Sequence, residues 1–391
     1  MKICLINNLF RPYDRGGSEK VVNYIYEGLK DEGQDVFLIS GAPYRRRRTD
    51  ERPGVIYLRS IFYSIGKLPI FLRFFWHIWN IFDFLTIIKI WFVFRKNKPE
   101  LVMTHNLKGI SFLLPVFLRL MKIKHAHTLH DIQLLHPSGL MYYGQEKKLS
   151  SFPAKVYQFL CRKLFGAPGM VISPSRWLME EHVSRDFFNS SEKFILPNPS
   201  PKFSDMAVNP KNPESKFTFL YVGQIEEHKG ILFFVKAFIN FWEPFWTSTA
   251  GKKAKLSIEL LVAGSGSVVG DVGKIAFGDK RIKILGGKTH SEVKELMQSA
   301  DCLVVPSLCY ENSPTVIYEA ASLGLPVLAS DIGGIPELIK RTGGVLFEPG
   351  NEDDLGDKMK YVLGKREQAG WSKPEHPPLT INYIEDLMKL F

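Results

Sequence analysis

Strand-like apolar runs alternate with helical segments along the whole chain. This alternation leaves few folds open other than parallel sheets wrapped by helices. In the first half the runs are KICLINN, DVFLIS, GVIYLRS, LVMTHN, HAHTLHD and MVISPS. In the second half they are FTFLYVG, SIELLVAGSG, IKILGG, CLVVPS, PVLASD and GVLFEP. Each set suffices for one doubly wound domain, with a ligand crevice at the carboxyl ends of its strands. A chain of 391 residues exceeds what one core usually serves, so two domains are expected. The division falls near Leu196-Pro197-Asn198-Pro199-Ser200-Pro201, where three prolines interrupt any regular element, and Ser204 to Lys216 reads as linker. The expected bounds are 1–200 and 201–370, followed by a closing segment, 371–391, with Ile384, Leu387, Met388 and Phe391 at helical spacing.

The charge is lopsided. Residues 1–200 carry 29 Lys and Arg against 16 Asp and Glu, a net of +13, while the remainder has 22 against 24, a net of −2. The N-terminal half is therefore expected to meet an anionic surface or ligand. No nucleic-acid motif accompanies the charge, which favours an anionic membrane leaflet over nucleic acid. The start reads as a strand and not as a signal peptide, and Cys4, Cys161, Cys302 and Cys309 form no C-x-x-C pair, as expected of buried thiols in a reducing compartment.

The tract from Ile61 to Phe94 is unusually aromatic. Arg73, Asp83 and Lys89 interrupt it and argue against a spanning helix. It reads first as a buried helical hairpin of the N-terminal domain. The second reading is an amphipathic region partly sunk in a membrane interface, because Trp, Phe and flanking basic residues are what such segments use. Arg73, His77 and Asn80 share one helical face, and Arg45 to Arg48 add a basic run that could touch lipid headgroups.

Between Asp301 and Pro336 two carboxylates, Glu311 and Glu319, lie eight residues apart around a strand–loop–helix junction. Pro314 suits a first helical turn, Thr315 to Leu323 continues the helix, and Gly324 stops it. Glu311 is thereby placed beside a helix N-terminus, whose unpaired N–H groups suit a phosphate. Glu319, near the second turn, could reach adjacent hydroxyls. A nucleotide sugar satisfies both ends. The segment resembles the donor-binding signature of retaining GT-B glycosyltransferases of glycosyltransferase family 4, also called glycosyl transferases group 1. There the glutamate pair runs into E-A-x-A/S-x-G-x-P-V and a G-G-x-x-E turn, present here from Glu319 to Val327 and from Gly333 to Glu337.

Other segments fit the same family. Gly16-Gly17, directly after the first strand and followed by Glu19, resembles its G-G-x-E loop; glycines there would let the backbone turn tightly against a ligand. Thr128-Leu129-His130-Asp131 resembles its T-x-H-D motif, which implies that His130 meets the donor sugar, with Asp131 available to orient its ring. His125 and His127 share a strand face with no evident fourth ligand, so a zinc site is not expected. In YVGQIEEHKG, Lys229 is suited to neutralise a diphosphate, and Gln224 stands where the family usually has arginine. Gly264 falls in the nucleotide-side loop, and Ile284 to Lys288 where the family's chain passes the base.

The resemblance implies an α/β, GT-B fold of two facing Rossmann-like domains with an interdomain cleft, the last helix bracing the N-terminal domain. It implies a metal-independent, hexosyltransferase-type enzyme moving sugar from a nucleotide diphosphate donor, UDP- or GDP-linked, to an acceptor hydroxyl with retention. His130, Glu311 and Lys229 would be catalytic. Gly16, Gly17, Gln224, Lys229, Gly264, Asn312, Ser313, Pro314, Thr315 and Glu319 would bind the donor. No metal or further cofactor is expected. The acceptor side is the basic N-terminal half, which points to a lipid-linked or cell-surface glycan reached by a cytoplasmic, peripheral protein. The alternatives are a sugar-nucleotide epimerase or phosphorylase on the same scaffold, and a non-catalytic sugar-nucleotide-binding partner subunit.

Overall fold

A computed structural model describes residues 1–13, 16–43, 52–199, 216–248, 257–367 and 383–391. Arg45 to Arg48 and linker residues 204–215 lie outside them. Two compact units are formed. One comprises Met1–Leu140, Glu146–Pro199 and Asn382–Phe391; the other comprises Met141–Gln145 and Ser200–Ile381. Residues 141–145, which sequence reading puts in the first domain, go with the second unit because their backbone bonds there: Tyr143 N donates to Leu308 O at 3.0 Å and Tyr310 N to Met141 O at 2.8 Å.

The first unit runs β1 (Lys2–Asn7), α1 (Gly17–Asp31), β2 (Asp35–Ala42), β3 (Val55–Arg59), α2 (Ile70–Ile81), α3 (Phe84–Asn97), β4 (Leu101–Thr104), α4 (Leu114–Leu120), β5 (Lys124–Thr128), α5 (Phe152–Phe165), β6 (Met170–Ser173), α6 (Arg176–Val183) and β7 (Glu192–Ile195). Its strands pair in parallel in the order β3-β2-β1-β4-β5-β6-β7. Ile3, Cys4, Leu5 and Ile6 are fully buried, because helices cover both faces of a parallel sheet. The strand order reverses at β1, and the chain emerging from β1 and β4 opens the crevice there.

The second unit runs β8 (Phe217–Val222), α7 (Ile231–Ser248), β9 (Ile258–Ala263), α8 (Val269–Ile275), β10 (Ile282–Gly286), α9 (His290–Ser299), β11 (Cys302–Val305), α10 (Thr315–Ser322), β12 (Val327–Ser330), α11 (Ile335–Thr342), β13 (Val345–Phe347) and α12 (Glu352–Glu367). The order is β10-β9-β8-β11-β12-β13, all parallel, with reversal at β8. One apolar cluster fills each side of this sheet, around Phe219, Phe234 and Phe238 on one and Leu303, Ile317 and Leu338 on the other. The last helix, α13 (Tyr383–Met388), packs on α1 of the first unit. Gly28 leaves the room: a Cβ there would stand 2.5 Å from Ile384 Cγ1.

The aromatic tract is helical, but the expectation of burial is corrected. Among the described side chains, α2 turns Phe71, Phe75, Ile78 and Trp79 to the surface, and α3 does so with Phe84, Leu85, Ile88 and Phe92. The buried part of α2 mixes polar Asn80 with apolar Ile81, and Arg73 is half-buried. Arg73 donates to Leu68 O and Gly66 O, each at 2.6 Å, and Asn80 Oδ1 accepts from Gly109 N at 3.0 Å. Asp83 divides the two helices and caps α3, accepting from Thr86 N at 3.0 Å. No single helix among the described residues is long and apolar enough to cross a membrane.

Candidate functional site

In the second unit the loops leaving β8 and β11 converge at the strand reversal. Glu227–Lys229 forms one 3-10 turn and Gly230 follows in the left-handed region at φ 72°. The turn lies so close to the end of β11 that a Cβ on Gly230 would stand 1.7 Å from Pro306 O. Leu308 N donates to His228 O at 3.0 Å and ties the two loops together. The result is a direct ion pair between Lys229 Nζ and Glu311 Oε1, both half-buried. Ser307 Oγ donates to the same carboxylate oxygen at 3.1 Å. Burial pushes the Glu311 carboxyl up, but Lys229 and Ser307 outweigh it and hold it below its ordinary value. Burial likewise pulls the Lys229 ammonium down, and Glu311 more than restores it. The pair is ionised at neutral pH.

The backbone of Glu311 is held from behind. Gly334 N donates to Glu311 O at 2.8 Å. Gly333 has φ 64°, and a Cβ there would meet Glu311 O at 2.3 Å, so only glycine allows this approach. The G-G turn was legible in sequence as a motif; its task of fixing Glu311 was not. Asn312 is buried, and Ser313 Oγ and Tyr318 OH are 2.8 Å apart. Pro314 is the residue before α10 rather than its first member, and Thr315 opens the helix. No side chain caps that N-terminus, so the N–H groups of its first turn are not taken up by a capping residue. Glu319 is the fifth residue of α10 and only 4% exposed. Gly324, at φ 68°, follows the helix end as expected.

Gln224 is exposed, and its carbonyl accepts from Tyr221 OH at 2.6 Å. Gly264 follows β9 and donates to Gly286 O at 2.9 Å. Glu226 holds the next turn, accepting from Ser267 N at 2.8 Å. All these groups stand at the carboxyl ends of β8, β9 and β11.

The first unit gathers a different set. His130 follows β5 and His105 follows β4; His105 Nδ1 and His130 Nε2 are 2.9 Å apart, so one ring donates to the other. Burial pulls His130 down to about 4 and holds His105 well below its ordinary value, with His130 adding to the effect on His105. Both rings are neutral at neutral pH. Sequence reading missed His105. The signal lay in T-H-N at the end of LVMTHN, since β4 pairs β5 in register and their ends adjoin. Asp131 accepts from Gln133 N at 2.7 Å. Burial pushes its carboxyl up to about 6, opposed by that bond and by Lys108, and Glu19 adds repulsion. Lys108 Nζ donates to Pro137 O at 2.8 Å.

Gly16 and Gly17 stand differently from expectation. Gly16 is extended (φ −148°, ψ −170°) and Gly17 begins α1, so neither makes a left-handed turn. A Cβ on Gly16 would meet Glu19 Oε2 at 3.2 Å; the glycine instead leaves room for this buried carboxylate. His125 Nε2 and His127 Nδ1 lie 2.7 and 2.8 Å from Thr104 Oγ1, and His127 packs on Phe165 and Phe188. They belong to the core. Among the described residues no group of three His, Cys, Asp or Glu is placed to hold a metal. All four cysteines are buried free thiols.

The family model described as Glycosyltransferase Family 4 matches residues 15–199, and that described as Glycosyl transferases group 1 matches residues 203–371. An uncharacterised 42.6 kDa protein in the cps region of Klebsiella pneumoniae is 26% identical over 356 residues, 89% of this chain and 90% of that protein. The lipopolysaccharide 1,2-N-acetylglucosaminetransferase of Salmonella typhimurium is 28% identical over 169 residues, 40% of this chain and 41% of that protein. Among solved structures, Anabaena HepE in complex with UDP and glucose superposes with a TM-score of 0.64 at 14% identity, covering 100% of this chain and 99% of that one. This last likeness supports a GT-B fold.

Proposed function

The chain belongs to the group 1 glycosyltransferases, its N-terminal half to family 4, and on that premise we propose that it moves a hexose from a nucleotide diphosphate sugar to an acceptor hydroxyl with retention. The observation that carries the proposal is the ionised Lys229–Glu311 pair beside the uncapped start of α10, with Glu319 buried one turn further on. UDP is the favoured nucleotide, since the Anabaena structure holds UDP and glucose; GDP is the rival.

In the reaction the bond from the anomeric carbon to the β-phosphate oxygen breaks and one to the acceptor oxygen forms. The acceptor proton passes to the departing phosphate oxygen. Negative charge grows on the diphosphate, and Lys229 with the first N–H groups of α10 (Thr315 onward) would stabilise it. Lys229 then turns from Glu311 to phosphate, which frees the Glu311 carboxylate for sugar hydroxyls. Glu319 would take the ribose hydroxyls, with Asn312 and Ser313 lining the approach. Gln224 offers hydrogen bonds without charge, so leaving-group neutralisation rests more heavily on Lys229. Neutral His130, steadied by His105, would present a donor to the sugar, and the glycine-led start of α1 would lie on the acceptor side. The protein residues named hold the diphosphate without a metal.

The acceptor is proposed to be a lipid-linked or cell-surface glycan of polysaccharide or lipopolysaccharide type. The basic N-terminal half and the two bacterial relatives support this, as they do a peripheral position on the cytoplasmic face of a membrane. The test is proton NMR of the product formed from a UDP-α-sugar. An α-linked product is expected; a β-linked product would exclude retention.

A further inference from the structure

The four helices α2, α3, α4 and α5 contain eight Lys and Arg and not one Asp or Glu. They form adjoining parts of one layer. Phe94 of α3 meets Phe117 of α4 with ring centroids 6.1 Å apart, and Arg119 of α4 donates to the carbonyl of Phe165 in α5. The outer side of this layer is apolar where a water-facing helix would be polar. Phe75 is 63% exposed, Trp79 50%, Phe92 61% and, on α5, Phe152 80%. Phe75, Trp79 and Phe82 line an open apolar hollow. Meanwhile Asn80 is buried against Gly109 N, and half-buried Arg73 is held to the carbonyls of Leu68 and Gly66, away from the stripe of Phe71, Phe75, Ile78 and Trp79. Exposed Lys89, Arg95, Lys96, Lys155 and Lys163 rim the apolar stripes, and Arg95 stacks 5.0 Å from the ring of Trp91.

We propose that this layer, led by the kinked α2–α3 pair, docks on an anionic lipid bilayer, its aromatic stripe lying in the interface and its basic rim on the headgroups. The proposal rests on the membrane-proximal acceptor reading and names the element that serves it. Charge selects the occupant. A second copy of the chain placed face to face would set Lys89, Arg95 and Lys96 against their own kind, whereas an anionic leaflet complements them. Geometry selects the depth. The two helices bend by 41° at their break, and Asp83 sits at that bend, bonded to Thr86. A kinked pair lying in the plane keeps that carboxylate at the water boundary; the same pair crossing the core would bury it at mid-depth. Trp and Phe are the side chains that favour this boundary.

The experiment is flotation of the full chain with phosphatidylcholine vesicles, with and without phosphatidylglycerol. The native chain should float with the mixed vesicles and less with the neutral ones. The variant Phe75→Ser, Trp79→Ser, Phe92→Ser should lose at least about tenfold in partitioning, as expected for three aromatic side chains withdrawn from the interface. Each is at least half exposed, so its melting temperature should fall by only a few degrees and the variant should remain folded. Trp79→Phe should float normally yet lose part of the fluorescence quenching by brominated lipid. Undiminished flotation of the triple variant would overturn the α2–α3 pair as docking element and leave the membrane reading standing. No flotation of the native chain would overturn both. A native dimer that the same substitutions dissociate would overturn the lipid as occupant.

Discussion

The two units share a parallel sheet with one reversal of strand order, yet they set opposite chemistry at that reversal. The second unit holds an ionised pair, Lys229 with Glu311, next to a helix start. The first holds neutral imidazoles, His105 and His130, with Asp131 pushed up toward neutrality by burial. A site that must receive two phosphates requires charge that persists in a half-buried place, and a lysine persists there only with a carboxylate beside it. A site that orients a sugar works with neutral donors, which cost less to desolvate. The difference teaches that one fold fixes where a site lies, while a few loop residues decide what it can hold.

The strongest way to break this comparison is to remove one group from each unit. Lys229→Ala should lower turnover by about 10²- to 10³-fold, the size expected when a leaving-group stabiliser is lost. His130→Gln keeps a neutral donor and should cost less than about tenfold, the share of a neutral hydrogen bond. Steady-state kinetics with a UDP-sugar would check both, and equal losses would deny that the units differ in kind.

Much of this contrast was readable before any coordinates. All the second unit's strands, the α10 boundaries and the Glu311–Glu319 placement follow from apolar runs and from Pro314 and Gly324, because local signals set them. What escaped depends on contacts between distant segments. Gly333 is fixed by the backbone of Glu311, and His105 matters through a ring 25 residues away. The edge strand β7 was missed because Glu192 and Lys193 are exposed and give no apolar run. The α2–α3 tract misled for the opposite reason: aromatic content suggests burial, but only a narrow strip (Asn80, Ile81, Thr86, Ile90 and Phe94) is buried and most of its aromatic side chains stay outside.

A smaller effect sharpens the comparison through acid. Burial holds His125 at about 3, His77, His130 and His182 at about 4, and lowers His105, His127 and His136. The unfolded chain takes up these protons near pH 6.5, as expected for free imidazole. Below that pH the unfolded state binds more protons, so the first unit's stability is full above about 6.5 and falls as pH drops toward 4. Asp131, raised to about 6, acts in the reverse sense, one carboxyl against seven imidazoles. In the second unit His228 is lowered by burial in the same way, a single imidazole against seven, while Glu311, held below 4.5, contributes stability that is lost only as pH falls beneath that value. Hydrogen exchange read by mass spectrometry should therefore show the first unit losing protection first on acidification. Simultaneous loss, or earlier loss in the second unit, would contradict the assignment.

The most direct test of the central claim is saturation-transfer NMR of the purified chain against UDP-, GDP- and ADP-sugars, repeated with Glu319→Ala. The account predicts contact with one nucleotide class, UDP first, through both ribose and sugar protons, and loss of the ribose signal in the variant. Ribose contact that survives Glu319→Ala unchanged would contradict the donor site as drawn around α10.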